Sequence, residues 1–161
     1  MLTTIVGRRG RGKTTLIKNL IEESDAERIC ILDFLGDFLE LSDPRIQLSR
    51  GYLYPFLKEV WDTCQEYPKT LIILDEIDTY SKYDEHIAYV YKYGRHAGLE
   101  IIAVSRTFFN LPVICRRLTD VYYIFQITEW SDLVYLKRTM GEEFALKARS
   151  LDFYEYIKIG L

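Results

Sequence analysis

The sequence predicts an α/β fold in which a mainly parallel central sheet lies between layers of helix. Two observations carry that expectation. Short apolar runs that suit buried strands alternate along the chain with segments whose apolar residues recur at helical spacing. A glycine-rich turn joins the first apolar run to the first helical segment, as in strand–loop–helix motifs.

Taken in order, Leu2 to Val6 is a short apolar strand, and Thr14 to Ser24 reads as a helix with Leu16, Ile17, Leu20 and Ile21 on one side. Arg28 to Asp33 is a second strand ending in the turn-like Leu35-Gly36-Asp37, and Arg45 to Leu48 is a further short one. Leu53, Phe56, Leu57, Val60, Trp61 and Cys64 repeat at helical spacing, with Pro55 suited to the first turn. Thr70 to Leu74 is continuously apolar, the pattern of a strand covered on both faces. Ile87, Val90, Tyr91 and Gly94 mark a helix ended near Gly98. Leu99 to Ser105 and Val121 to Ile127 are strands joined through a connection over Leu111–Thr119. Asp132 to Met140 is a helix stopped by Gly141, and Phe153 to Ile159 is a closing strand.

The 161 residues are sufficient for one compact domain over 1–161, and 48% hydrophobic with 28% charged residues is a globular composition. The net charge of −3 excludes a generally basic nucleic-acid coat, so any DNA contact is expected to be local. Cys30, Cys64 and Cys115 form no CxxC pair and do not join His86 or His96 at metal-ligand spacing; they read as buried thiols in a reducing compartment. No apolar run approaches the length of a membrane span and no signal peptide precedes Leu2, so membrane insertion is not expected and the expected location is cytoplasmic.

The first chemical motif is Gly7-Arg8-Arg9-Gly10-Arg11-Gly12-Lys13-Thr14, which fits GxxxxGK[ST]. Glycines at both ends let the backbone wrap closely around phosphates, successive N–H groups point at the anion, and the following helix adds its positive end. Gly7, Gly10, Arg11, Gly12, Lys13, Thr14 and Thr15 are therefore the expected nucleotide cradle. Lys13 would grip the β- and γ-phosphates, Thr14 would ligate Mg²⁺, and Thr15 would reach the α-phosphate. The motif follows an apolar strand and opens a helix, which is the context its function requires. Arg8 and Arg9 occupy variable positions and are expected to point to solvent.

The second motif is Thr70-Leu71-Ile72-Ile73-Leu74-Asp75-Glu76. A buried strand delivers two acids to the sheet's carboxyl edge, where ligands of open α/β sheets bind. Asp75 would hold Mg²⁺ and Glu76 would orient and deprotonate an attacking water. A base beside the metal carboxylate suits transfer of a phosphoryl group to water. A small-molecule P-loop kinase is disfavoured, because no Arg-rich lid for a second substrate is evident.

These motifs, together with Gly94-Arg95-His96-Ala97-Gly98 leading through Leu99–Val104 to Ser105-Arg106, resemble the HerA/FtsK superfamily of DNA-translocating ATPases. Ile31 to Phe38 is similar to the Asp…Gly-acid-aromatic signature of those proteins. Leu111-Pro112 and Ile124-Phe125 extend the likeness to short packaging-type ATPases of viruses, and the resemblance covers Leu2 to about Met140. It implies a RecA/ASCE-like P-loop NTPase, a three-layer sandwich with the Leu99–Ser105 strand between the P-loop strand and the Asp75 strand. It also implies ATP and Mg²⁺ as cofactors, a homo-oligomeric ring, double-stranded DNA as partner, viral genome packaging as one role, and for a viral member the host cytoplasm as location. Ser105 would sense the γ-phosphate. Arg95 and Arg106 are the candidates for an arginine finger reaching a neighbour's ATP, although Arg95 also suits a helix C-terminal cap and Arg106 an ion pair with a local acid. Cellular members carry Gln where this chain has Arg106, so the glutamine role does not transfer.

Thirteen tyrosines are a heavy aromatic load. Tyr89, Lys92, Tyr93 and His96 share one helical face, which suits a subunit interface, a DNA-facing surface or a half-buried amphipathic face. No DNA site is visible in the sequence. A nucleotide-switched assembly or secretion protein is the alternative reading of the same motifs.

Overall fold

A computed structural model describes residues 1–160. Seven strands form one sheet in the order β3-β2-β4-β5-β1-β6-β7, with β1 Leu2–Val6, β2 Arg28–Leu32, β3 Ile46–Ser49, β4 Thr70–Leu74, β5 Leu99–Ser105, β6 Val121–Ile124 and β7 Ile157–Gly160. The first six are mutually parallel, and β7 closes one edge antiparallel to β6. β5 lies between β1 and β4, as the resemblance implies. β1, β2 and β4 are buried at every position, and apart from Thr3, Thr4, Arg28 and Thr70 their residues are apolar.

Among the described residues six α-helices cover the sheet: α1 Lys13–Glu23, α2 Leu53–Asp62, α3 Glu85–Tyr93, α4 Val113–Leu118, α5 Trp130–Met140 and α6 Glu142–Ser150. Successive strand residues point to opposite faces, so each strand feeds two cores. Ile5, Ile29, Ile31, Ile73 and Val104 pack with Leu16, Ile17 and Ile21 of α1. On the other face Leu32, Ile72, Leu74 and Ala103 meet α2, α3 and α4, while Tyr122 and Ile124 meet α5 and α6. The result is the three-layer, mainly parallel α/β sandwich that the resemblance implies.

The structure adds two helices to the expectations from sequence and corrects the bounds of two strands. The Leu111–Thr119 connection contains α4, whose single buried side chain, Cys115, leaves too little periodicity to read. Gly141 does stop α5, at φ 100°, but it also starts α6, which carries Glu142 and Glu143 in its first turn and Lys147 and Arg149 in its last. β6 ends at Ile124 rather than Ile127. The closing strand begins at Ile157 rather than Phe153, because Tyr154 takes a positive φ of 64° that no strand accommodates.

Candidate active site

The loop from Gly7 to Gly12 crosses the carboxyl end of β1, at the point where the chain leaves for a strand on the far side of β5 and β4. This crevice is where open α/β sheets bind ligands. Gly7 donates its N–H to the Ser105 carbonyl at 3.2 Å and Arg8 to the Gln126 carbonyl at 3.0 Å, which ties the loop to the strand ends on either side. Glycine is required sterically at two places. A Cβ on Gly7 would lie 2.5 Å from the Phe125 Cβ, and one on Gly12 would lie 2.7 Å from the Tyr154 Cδ1. Both backbones also lie at positive φ, 151° and 105°, which glycine alone adopts readily.

A cleft of about 400 Å³ opens over this loop, lined by Gly10, Gly12, Lys13, Thr14 and Thr15 on one side and by Asp75, Glu76, Ser105 and Arg106 on the other. The Lys13 ammonium rests on the carbonyls of Gly7 at 2.6 Å and Arg8 at 3.1 Å, so the cation is held within the curve of the loop. Burial lowers its pKa, and the nearby carboxylates of Asp75, Asp78 and Glu76 oppose that shift. Of the flanking arginines, Arg8 and Arg9 are exposed as expected, although Arg9 also lines the cleft. Arg11 instead lies over the Phe153 ring, with its guanidinium carbon 4.3 Å from the centroid.

β4 carries Asp75 and Glu76 to the opposite wall. Asp75 is buried, and desolvation raises its pKa to about 6, with the neighbouring Glu76, Asp37 and Asp33 charges adding to the effect. Its Oδ1 accepts the Glu76 N–H at 2.9 Å. The Thr14 hydroxyl and the Asp75 carboxylate line the same cleft and are the hard oxygen donors that Mg²⁺ prefers, so the residues fit that ion. Among the described residues no three His, Cys, Asp or Glu side chains gather into a metal cage. Mg²⁺ commonly completes its shell with water and substrate phosphates instead.

Glu76 has a φ of 49°, an uncommon conformation for a residue other than glycine. Strain of this kind persists only where the surroundings enforce it. Here Thr79 donates both its N–H and its hydroxyl to the Glu76 carbonyl, at 3.0 and 2.9 Å.

The end of β5 places Ser105 and Arg106 beside these acids. The buried Ser105 hydroxyl donates to the Thr107 carbonyl at 2.6 Å and accepts the Thr107 N–H at 3.2 Å, which shapes the turn after β5. Arg106 Nε lies 3.3 Å from Asp78 Oδ2 and 3.8 Å from Glu76 Oε1. The local acid that Arg106 pairs with thus includes the candidate general base. Arg95 is elsewhere. It lies ahead of β5, where its Nη2 is 2.8 Å from both carboxylate oxygens of Asp120, and Asp120 also accepts the Leu2 N–H. These contacts put Arg95 at the amino edge of the sheet, across a five-residue strand of roughly 16 Å at about 3.3 Å per residue. It does not reach the cleft of its own chain.

Three further residues build the site, and of these only Asp33 falls in a segment that the sequence singles out, the Asp…Gly-acid-aromatic stretch Ile31 to Phe38. Buried Asp33 accepts the N–H groups of Gly36, Asp37 and Phe38 at 2.7, 3.1 and 3.1 Å, folding the turn that presents Leu35 and Asp37 to the cleft. Buried Asp132 accepts the N–H groups of Phe108 and Phe109 at 3.0 and 2.7 Å and so anchors the loop that follows Arg106. Tyr154 reaches the cleft from just before β7. The signal at Asp33 is an acid followed after two residues by a glycine turn.

Residues 1–131 match the family model described as an AAA domain. The fold is similar to the genome packaging NTPase B204 of Sulfolobus turreted icosahedral virus 2 in complex with ATP-gammaS (TM-score 0.80, 21% identity, 99% of this chain and 91% of that one). It is also similar to B204, the DNA-packaging ATPase of Sulfolobus turreted icosahedral virus (TM-score 0.77, 18% identity, 99% and 91%). A more distant likeness is to EccC of Thermomonospora curvata (TM-score 0.58, 8% identity, 78% and 30%). No curated protein matches the chain in sequence.

Proposed function

Because the chain belongs to the AAA domain family of P-loop ATPases, we propose that it hydrolyses ATP with Mg²⁺ and, as a homo-oligomeric ring, uses the energy to move double-stranded DNA into a viral particle. The observation that carries this reading is the convergence of Lys13, Thr14, Asp75 and Glu76 on one cleft at the sheet's carboxyl edge. Support for DNA as the cargo comes from the likeness to genome-packaging NTPases along nearly the whole chain.

In this mechanism the N–H groups of the glycine loop and the start of α1 hold the phosphates. Lys13 exchanges its carbonyl partners for β- and γ-phosphate oxygens. Thr14 and Asp75 would hold Mg²⁺, which supplies charge neutralisation on the phosphates when bound. Glu76 orients a water toward the γ-phosphate and takes its proton. Arg106, poised 3.8 Å from Glu76, is the arginine best placed to act at the γ-phosphate, in its own chain's cleft or in a neighbour's. Arg95, paired with Asp120 at the far edge, is left with a trans role only.

The test is specific ATPase activity measured against protein concentration, with and without double-stranded DNA. The proposal expects activity that rises with assembly and with DNA. Specific activity that stays flat and indifferent to DNA would remove translocation and leave the ATPase.

A further inference from the structure

We propose that Tyr154 is the nucleobase platform of this site, its exposed ring stacking on the purine of the bound nucleotide. The inference rests on the reading of the cleft as an ATP site, and it says which end of the cleft takes which end of the ligand. Asp75, Glu76, Ser105 and Arg106 all stand at the ends of β4 and β5, on one flank of β1. These are the groups that act on a γ-phosphate. On the other flank lie β6 and β7, and Tyr154 lies three residues ahead of the start of β7 at Ile157. It lines the same cleft as Gly12 and Thr15. A triphosphate with its γ end beside Glu76 and its middle on Lys13 therefore leaves its nucleoside on the Tyr154 side.

The tyrosine is also built as a platform. Its side is left open, with the residue 67% exposed, while the backbone beneath it is held firmly. Tyr154 sits at φ 64°, a conformation costly for an L residue, and donates its N–H to the Arg11 carbonyl at 3.1 Å. The preceding Phe153 is covered by the Arg11 guanidinium. The following segment is anchored by Tyr156, whose ring packs 5.3 Å from that of Tyr123 and 5.4 Å from that of Phe125. One ring edge of Tyr154 lies against the Gly12 backbone so closely that no Cβ would fit there. A ring serving only to seal the loop would be buried. This one meets the phosphate loop at its edge and leaves much of its surface to solvent, the arrangement that stacking on a base needs.

The experiment is calorimetric titration of the full chain with ATP and, separately, with inorganic tripolyphosphate, which has the phosphates and no base. Tyr154→Ala is expected to weaken ATP binding by about 5- to 150-fold, the range for loss of one base–aromatic stack, while tripolyphosphate binding changes by no more than about twofold. Tyr154→Phe, which keeps the ring, is expected to retain wild-type affinity for both. Equal weakening of both ligands by Tyr154→Ala would assign the residue to holding the phosphate loop and overturn the proposal, as would unchanged ATP binding. Failure of the wild-type chain to bind either ligand would overturn the ATPase reading, and this inference with it.

Discussion

Replacing Asp75 by Asn should make the ligand-free protein more stable at neutral pH while abolishing its activity. Asp75 is buried, and desolvation raises its pKa from 3.8 to about 6. A carboxyl whose folded pKa exceeds its unfolded value favours the folded state while it is protonated. That advantage is complete below about pH 4 and is lost as pH rises through about 6. At about 1.4 kcal/mol per pH unit, the ionised group costs the fold about 3 kcal/mol at pH 7.5 and about 1 kcal/mol at pH 4.5. Asn avoids that cost and keeps an oxygen to accept the Glu76 N–H, now 2.9 Å from Asp75 Oδ1. In urea unfolding with EDTA and no nucleotide, at a slope of about 2 kcal/mol per M, the variant's midpoint should lie about 1.5 M above wild type at pH 7.5 and about 0.5 M above it at pH 4.5. A midpoint below wild type at pH 7.5, or an equal gain at both pH values, would refute the reasoning. Such a trade of stability for activity is expected where a buried charge is kept for its chemistry.

Glu76→Gln should retain ATP binding and lose about 10²- to 10⁴-fold in kcat, read by comparing nucleotide titration with phosphate release. Arg106→Ala should lower kcat about 10³-fold or more if it serves as the finger. Mixing Arg106→Ala subunits with Glu76→Gln subunits should restore activity if the sites are shared, and no restoration would place Arg106 in its own chain's site. Arg95→Ala breaks an ion pair that is largely exposed on the arginine side and should cost at most about 1 kcal/mol in unfolding free energy; a large loss of kcat would return the trans role to Arg95. Gly7→Ala sets a Cβ 2.5 Å from that of Phe125 at φ 151° and should destabilise the fold by about 2–4 kcal/mol, measured by thermal unfolding.

Much of this protein is legible in its sequence because the governing interactions are local. β1, β4 and β5 are read to the residue, since strands covered on both faces are largely apolar, with Thr3, Thr4, Thr70, the exposed Glu100 and Ser105 as the exceptions. The glycine loop is equally plain, because positive φ and close approach admit few other residues. Asp75 and Glu76 stand out as charges ending an apolar run. The helices α4 and α6 are less visible, with one and two buried side chains respectively.

By itself, then, the sequence determines the element order of the sheet core and the phosphate loop with its two acids, because periodicity and backbone constraint act over a few neighbouring residues. The tertiary structure alone decides which distant residues share the cleft. Strand order puts Arg106 beside Glu76 and sends the similarly basic Arg95 to the opposite edge. It also brings Tyr154, from near the end of the chain, onto Gly12 near its beginning. No local pattern encodes those meetings. They follow from how the six parallel strands gather their carboxyl ends along one edge, where the antiparallel β7 begins.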